Sequence, residues 1–161
     1  VPDGTGVWIG LRDRTMTAAH MARSAIEGAT LGLNYGLNRM RELGLSPDEV
    51  RLTGGGSRNP LWRQVAADVF NCPVVCPSAR EGAAFGAALH AEWVWTHVSG
   101  RGVDLGDLTD RAVRVDHATR AVPRADAAAT YVELQELFDA AAARLSQPFA
   151  RHRRVIARPA P

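Results

Sequence analysis

Three consecutive glycines, Gly54, Gly55 and Gly56, stand between a short apolar run and a helix-start signal, and no other feature constrains the fold as tightly. Residues 50–53 are short and apolar enough for a buried strand. Asn59 and Pro60 read as the N-cap and first residue of a helix. The asparagine oxygen can accept from a free amide of the first turn, and the proline ring presets the helical φ. Leu61, Val65, Val69 and Phe70 then line one helix face that ends near Asn71. In an open α/β sheet, ligands sit beyond the carboxyl ends of the strands, where a strand hands over to a helix. Glycines at that handover let a flat ring or sugar lie against the backbone. The free N–H groups of the helix start favour an anion or a polar ring edge. A glycine-rich turn of this kind is also a common structural device, so taken alone the loop leaves both readings open.

The flanking segments extend the pattern. A long helix is predicted from Thr17 to a stop at Gly44, with Met21, Ala25, Leu33, Leu37 and Met40 near helical spacing. Gly28, Gly32 and Gly36 sit inside it, costly for a helix but permitting close packing. Before it, residues 1–14 read as loop or short strand, with Val7, Trp8 and Ile9 their apolar core. After the glycine loop, residues 74–76 form a second short strand. Ser78 and Glu81 then have capping-box spacing for a helix that carries Gly82, Ala83, Gly86 and Ala87 on one side. Helix, strand, glycine loop, helix, strand, helix is an α/β order. Residues 100–124 are polar and read as loops with one strand near 112–115. A last helix from Asp126 places Tyr131, Leu134, Phe138, Ala141 and Leu145 on one stripe. The tail, residues 148–161, holds Arg151, Arg153, Arg154 and Arg158 among prolines and is expected to be disordered.

Composition removes several function classes. The chain has 161 residues, 46% of them hydrophobic, enough for one ordinary core. All 19 basic residues are Arg, which excludes a Walker A lysine and any lysine nucleophile or Schiff base here. A formal charge of +2 gives no case for nucleic acid. No run of 18 apolar residues or leader pattern stands out, so a soluble cytoplasmic protein is expected. Cys72 and Cys76 lack a second ligand pair at zinc spacing and read as buried thiols. His20, His90 and His97 lie on predicted helices without a carboxylate at metal-ligand spacing, so no metal site is assigned. Asp3, Asp13 and Asp68 read as turn or helix-surface residues.

Three stretches together are more specific than any one. Residues 6–27, GVWIGLRDRTMTAAHMARSAIE, resemble the second signature of the FGGY carbohydrate kinases, with Gly6, Trp8, Gly10, Leu11, His20, Met21, Ser24, Ala25, Ile26 and Glu27 in place. LTGGGSRNPLWRQVAADVFNCPV, residues 52–74, is similar to the family's adenosine motif, and EGAAFGAALHA, residues 81–91, to the small-residue helix after it. The order and spacing are the family's, and the Tyr131 helix is similar to its C-terminal end. Within the family, the GGGSRNPLW wording most resembles the members that phosphorylate D-xylulose.

The resemblance implies an α/β fold: part of the C-terminal actin-like, ribonuclease-H-like ATPase domain, residues 1–147, followed by the tail. It implies ATP and Mg²⁺, with Gly54, Gly55, Gly56, Ser57 and Asn59 as nucleotide-binding residues. Arg58 stands at the tip of the same loop, either stacked on adenine or solvated. It implies a sugar substrate, held mainly by an N-terminal domain that also carries the first phosphate motif and the general-base Asp. The chain is therefore expected to be the C-terminal segment of a sugar kinase, inactive alone, with no catalytic base assigned. D-xylulose is the expected acceptor, and ribulose, gluconate, fuculose or glycerol the alternatives. A stand-alone nucleotide-binding or interaction module is the reading from another class. No nucleic-acid or membrane partner is implied, and a homodimer is compatible with the family.

Overall fold

The computed structural model describes residues 2–79 and 81–157. They fall into two compact units: one made of residues 2–45 and 125–157, the other of residues 46–79 and 81–124.

The first unit is built on two long helices. Helix α1 spans Ala18–Glu42, and Thr17 caps it by accepting from the His20 N–H. Helix α5 spans Ala125–Ile156. Within this unit α1 buries Thr30, Leu31 and Asn34, whereas the expected face is largely open: Met21, Leu33 and Met40 are exposed. Polar pairs join the two helices. Tyr131 donates to Glu27 at 2.7 Å and accepts from Arg23 at 2.9 Å, and Asn34 donates to Gln135 at 3.0 Å. Burial first, and then the bond to Glu27, push the Tyr131 hydroxyl above its ordinary range. A Cβ built on Gly28 or Gly36 would meet nothing within 4 Å, so the close packing those glycines permit is not made within the unit. Residues 4–10 form no strand. Val7 and Ile9 instead line an apolar hollow with Phe138, Leu145 and Phe149 of α5, and Trp8 is half-exposed.

The expected disordered tail is corrected here. Helix α5 passes through Pro148 and continues to Ile156. The proline forfeits one helical hydrogen bond, but Leu145 and Phe149, on either side of it, continue the stripe that Phe138 begins. Arg153 also pairs with Asp3, whose backbone takes a left-handed φ of 62°. Residues 158–161 lie outside the described residues.

The second unit holds the sheet. Strand β1 (Val50–Arg51) pairs in parallel with β2 (Val74–Pro77), and β2 pairs antiparallel with β3 (Val115–Ala121), in the order β1-β2-β3. Helix α2 (Pro60–Phe70) packs on it. Val65, Ala66, Ala67, Val69 and Phe70 of α2 meet Cys72, Val74, Val75 and Cys76, all buried, to form the core. Helix α2 ends on Asn71 in the left-handed conformation, φ 44°. Cys72 and Cys76 are both buried, as read from the sequence, and neither is in a disulfide.

Helix α3 (Gly82–Val98) begins where expected, but the Ser78–Glu81 capping box does not form. Glu81 itself occupies the cap position without a side-chain bond, and the Ser78 N–H donates to the Arg114 carbonyl in the β3 approach. His90 and His97 do share a face, with Trp93 between them, stacked on His90 and tilted against His97. The polar stretch expected as loop contains helix α4 (Leu105–Ala112), capped by Asp104 through the Gly106 and Asp107 N–H groups, and β3 begins later than the sequence suggests. No described helix is long and apolar enough to cross a membrane.

Candidate nucleotide-binding loop

The loop starts where β1 runs out. The Leu52 N–H makes the last parallel bond, to the Val75 carbonyl, and two residues later Gly54 turns the chain with φ 88°. That region is open to glycine and costly for residues with a Cβ. A single 3-10 turn, Gly55–Arg58, follows. Its carbonyls and amides are largely used internally: Ser57 donates to the Gly54 carbonyl through both its N–H and its Oγ, and the Asn59 N–H donates to Gly56. Asn59 then caps α2, its Oδ1 accepting from the Leu61 N–H at 2.9 Å, with Pro60 in the first turn.

Each glycine has a separate role. Gly54 supplies the backbone turn. Gly56 lies against Trp62 of α2, where an added Cβ would overlap the indole ring. Gly55 has neither constraint: nothing lies within 4 Å of the Cβ it lacks. The protein's own packing therefore leaves Gly55 unexplained, and it is the position a flat ligand would approach.

The Ser57 carbonyl anchors the turn from below, accepting from Arg63 Nη1 at 2.8 Å and from the buried Cys76 thiol at 3.6 Å. This holds the loop's underside to α2 and β2, at the carboxyl ends of the two parallel strands. A concavity of about 370 Å³ opens there, lined by Gly54, Ser57, Arg58 and Arg63 on the loop side and by Asp116 and Thr119 on the β3 side. That volume lies within the range of small-molecule sites.

Of the residues expected from the sequence, Gly54 and Ser57 line this concavity, and Gly55, Gly56 and Asn59 belong to the same short loop at its edge without lining it. Arg58 is mostly solvent-exposed and stands 3.8 Å from Glu81. Asp116 and Thr119 went unread, because they reach the loop only when β3 returns alongside β2. Arg63, inside the quoted motif, was not singled out, although it reaches the Ser57 carbonyl only six residues away. No sequence signal marks two residues of a polar stretch some 60 positions downstream. Asp68 is a correction of another kind. Expected on the helix surface, it is fully buried, accepting from Gln64 and from the backbone and guanidinium of Arg124.

Residues 2–95 match the family model of the FGGY carbohydrate kinases, C-terminal domain. The xylulose kinase of Haemophilus influenzae is 33% identical over 138 residues, which take in 86% of this chain and 27% of that protein. The L-fuculokinase of Escherichia coli K12 is 39% identical over 51% of this chain and 17% of its own. The gluconokinase of Bacillus licheniformis is 31% identical over 85% of this chain and 25% of its own. Among solved structures, a xylulose kinase from Rhodospirillum rubrum matches 92% of the chain with a TM-score of 0.74 and 28% identity, over 29% of its own length. The ligand-bound xylulose kinase from Lactobacillus acidophilus matches 93% at a TM-score of 0.78 and 24% identity, again over 29%. The chain thus spans about a quarter of the length of the relatives it matches. With the family model covering more than half of the chain, and with the mixed α/β fold shared, it belongs to the FGGY family of carbohydrate kinases as part of their C-terminal domain.

Proposed function

We propose that the chain supplies the nucleotide-holding part of an ATP-dependent sugar kinase, whose full-length form phosphorylates D-xylulose to D-xylulose 5-phosphate. One observation carries the reading. Gly55 sits at the carboxyl end of a parallel strand, on a loop pinned from below, with no packing reason to be glycine. A nucleoside lying over that backbone supplies the reason. Gly54, Gly56, Ser57 and Asn59 hold the loop in the shape that leaves Gly55 bare.

In such a kinase the γ-phosphoryl group passes directly to a sugar hydroxyl, with catalysis resting on positioning and charge stabilisation. This segment's part is to hold the nucleoside end of ATP. The base that accepts the hydroxyl proton and most of the sugar contacts belong to an N-terminal domain. Among the described residues, no group of three or more His, Cys, Asp or Glu side chains could hold a metal ion, so Mg²⁺ would be carried by the ATP phosphates and groups elsewhere. The buried Cys72 and Cys76, neither in a disulfide, fit work in the reducing cytoplasm.

D-xylulose is favoured because two xylulose kinases, 33% and 32% identical, match over most of this chain. The fuculokinase and gluconokinase relatives keep other sugars in the comparison. The test is ATP-dependent phosphorylation by the full-length protein with D-xylulose, D-ribulose, L-fuculose, D-gluconate and glycerol side by side. Preferential turnover of D-xylulose supports the reading, and turnover of another sugar alone reassigns the substrate. A Gly55→Val variant with an unchanged KM for ATP would remove the loop from nucleotide binding.

A further inference from the structure

The β3 wall of the concavity is irregular. Val74 pairs with Ala121 and Cys76 with Asp116, so the single residue Val75 on β2 stands opposite four residues on β3. Such bulges bend a strand and re-aim its side chains. This one is locked by Thr119. Its hydroxyl donates to the Asp116 carbonyl at 2.6 Å and accepts from the Cys76 N–H at 2.8 Å, taking the place of the missing ladder bond. The result holds Asp116 at the rim, facing the glycine loop across the concavity. One carboxylate oxygen, Oδ1, accepts from the Ala118 N–H at 3.1 Å. Oδ2 has no protein donor among the described residues.

The charges around that oxygen are arranged by side. Arg58 and Arg63 line the loop wall, and Asp116 is the carboxylate on the strand wall. Arg63 is committed to Ser57, and Arg58 is near Glu81, so neither neutralises Asp116 in the structure. An ionised carboxylate accepts and cannot donate. It therefore selects a neutral hydrogen-bond donor on the ligand and disfavours a phosphate, which the two guanidinium groups suit instead. Ribose hydroxyls are such donors, and carboxylates at the ends of α/β strands are a known solution for holding them.

We propose that Asp116 accepts the ribose 2′-hydroxyl of a nucleotide seated at the glycine loop and so makes the site selective for ribonucleotides over 2′-deoxyribonucleotides. The inference rests on the nucleotide-binding reading above and adds a specificity-determining residue to it. Asp116 lies on β3, beyond residues 2–95, the part of the chain that the family model matches.

The experiment titrates the full-length protein and its Asp116→Ala, Asp116→Asn and Gly55→Val variants with ATP and with 2′-deoxyATP, reading binding directly by calorimetry. Expected is a preference for ATP of about tenfold in the parent, as for one hydrogen bond to a charged acceptor. Asp116→Ala should weaken ATP binding and erase the preference. Asp116→Asn keeps an acceptor for the Ala118 N–H but replaces the charged acceptor facing the concavity with a neutral amide, so it should reduce the preference while retaining the fold. A preference that survives both variants, or none in the parent, overturns the assignment of Asp116. In either case, loss of ATP binding in Gly55→Val would leave the loop reading standing. Failure of the parent to bind ATP at all would overturn both.

Discussion

Arg124 closes over the buried carboxylate of Asp68 with two kinds of donor, its backbone N–H on Oδ1 at 2.9 Å and its guanidinium on Oδ2 at 2.7 Å. Gln64, one turn earlier on α2, also donates to Oδ1. The helix that carries the core thereby holds the chain at the exit from β3. Asp68 is wholly buried whereas the Arg124 side chain is more than half exposed, so the pair gains from low dielectric at one end only.

Replacing Asp68 with Asn should lower unfolding free energy by about 2–3 kcal/mol, because the buried site keeps its shape but loses its charged acceptor. Arg124 can rehydrate, which keeps the loss below that of breaking a fully buried pair. Chemical denaturation of the two proteins at neutral pH measures it. A change under 0.5 kcal/mol, on the order of a surface substitution, would show that the bonds do not hold the fold.

The same group gives a pH dependence with a definite sign. Burial pushes the Asp68 carboxyl up, but the bonds from Arg124 and Gln64 outweigh it and hold the group below its ordinary value of 3.8. A depressed folded value means that the stabilisation is complete above the unfolded value and is lost as pH falls through the folded one. Thermal melts from pH 6 downward should therefore show the gap in Tm between the parent and Asp68→Asn constant at first and narrowing below about 3.8. A gap that widens on acidification would reverse the sign and the explanation.

Local signals were legible in the sequence and long-range ones were not. Asn59, Pro60 and Thr17 act within four residues of themselves, and the structure uses the caps and helix starts they announce. Asp68 misleads because its partner is 56 residues away. On α2 alone a carboxylate is read as solvent-facing. The Ser78–Glu81 spacing misleads for a related reason, since β3 takes the Ser78 amide before it can join a cap. Asp104 was an available signal for α4, masked by the polarity around it. The glycine loop could be located from sequence, but its division of labour needed Trp62 and the backbone angles.

That division can be measured with two alanine substitutions next to each other. Gly56→Ala should destabilise the protein by about 1–3 kcal/mol, since the indole of Trp62 must move aside. Gly55→Ala meets open space and should leave Tm nearly unchanged. If a nucleoside lies over the loop, Gly55→Ala should raise KM for ATP severalfold despite its normal stability. A stability loss at Gly55 equal to that at Gly56 would erase the distinction.

Asn59 needs a substitution that separates cap from ligand contact. Asn59→Ala should cost about 1 kcal/mol through the lost bond to the Leu61 N–H. Serine is an equally good N-cap but has no amide to offer a base or ribose. Asn59→Ser should therefore restore stability. If Asn59 faces the nucleotide, the serine variant should still bind ATP more weakly while its KM for the sugar stays put. Full recovery of ATP binding in the serine variant would make Asn59 a cap alone.

Pro148 tests why α5 continues where the sequence suggested it should stop. The ring leaves the Arg144 carbonyl without its usual i+4 donor, in a helix whose next turn is held by Phe149 and by the Arg153–Asp3 pair. If these contacts carry the helix across the proline, Pro148→Ala should restore a bond, lose little packing and raise stability by about 1–3 kcal/mol. In the alanine background, Phe149→Ala should then be better tolerated than in the parent, because the helix no longer relies on that contact to pass residue 148. Denaturation of the four proteins of this cycle gives the coupling directly. Independent, additive effects would mean that the proline is accommodated by the backbone alone, and that Phe149 stabilises the end of α5 without having to hold it helical.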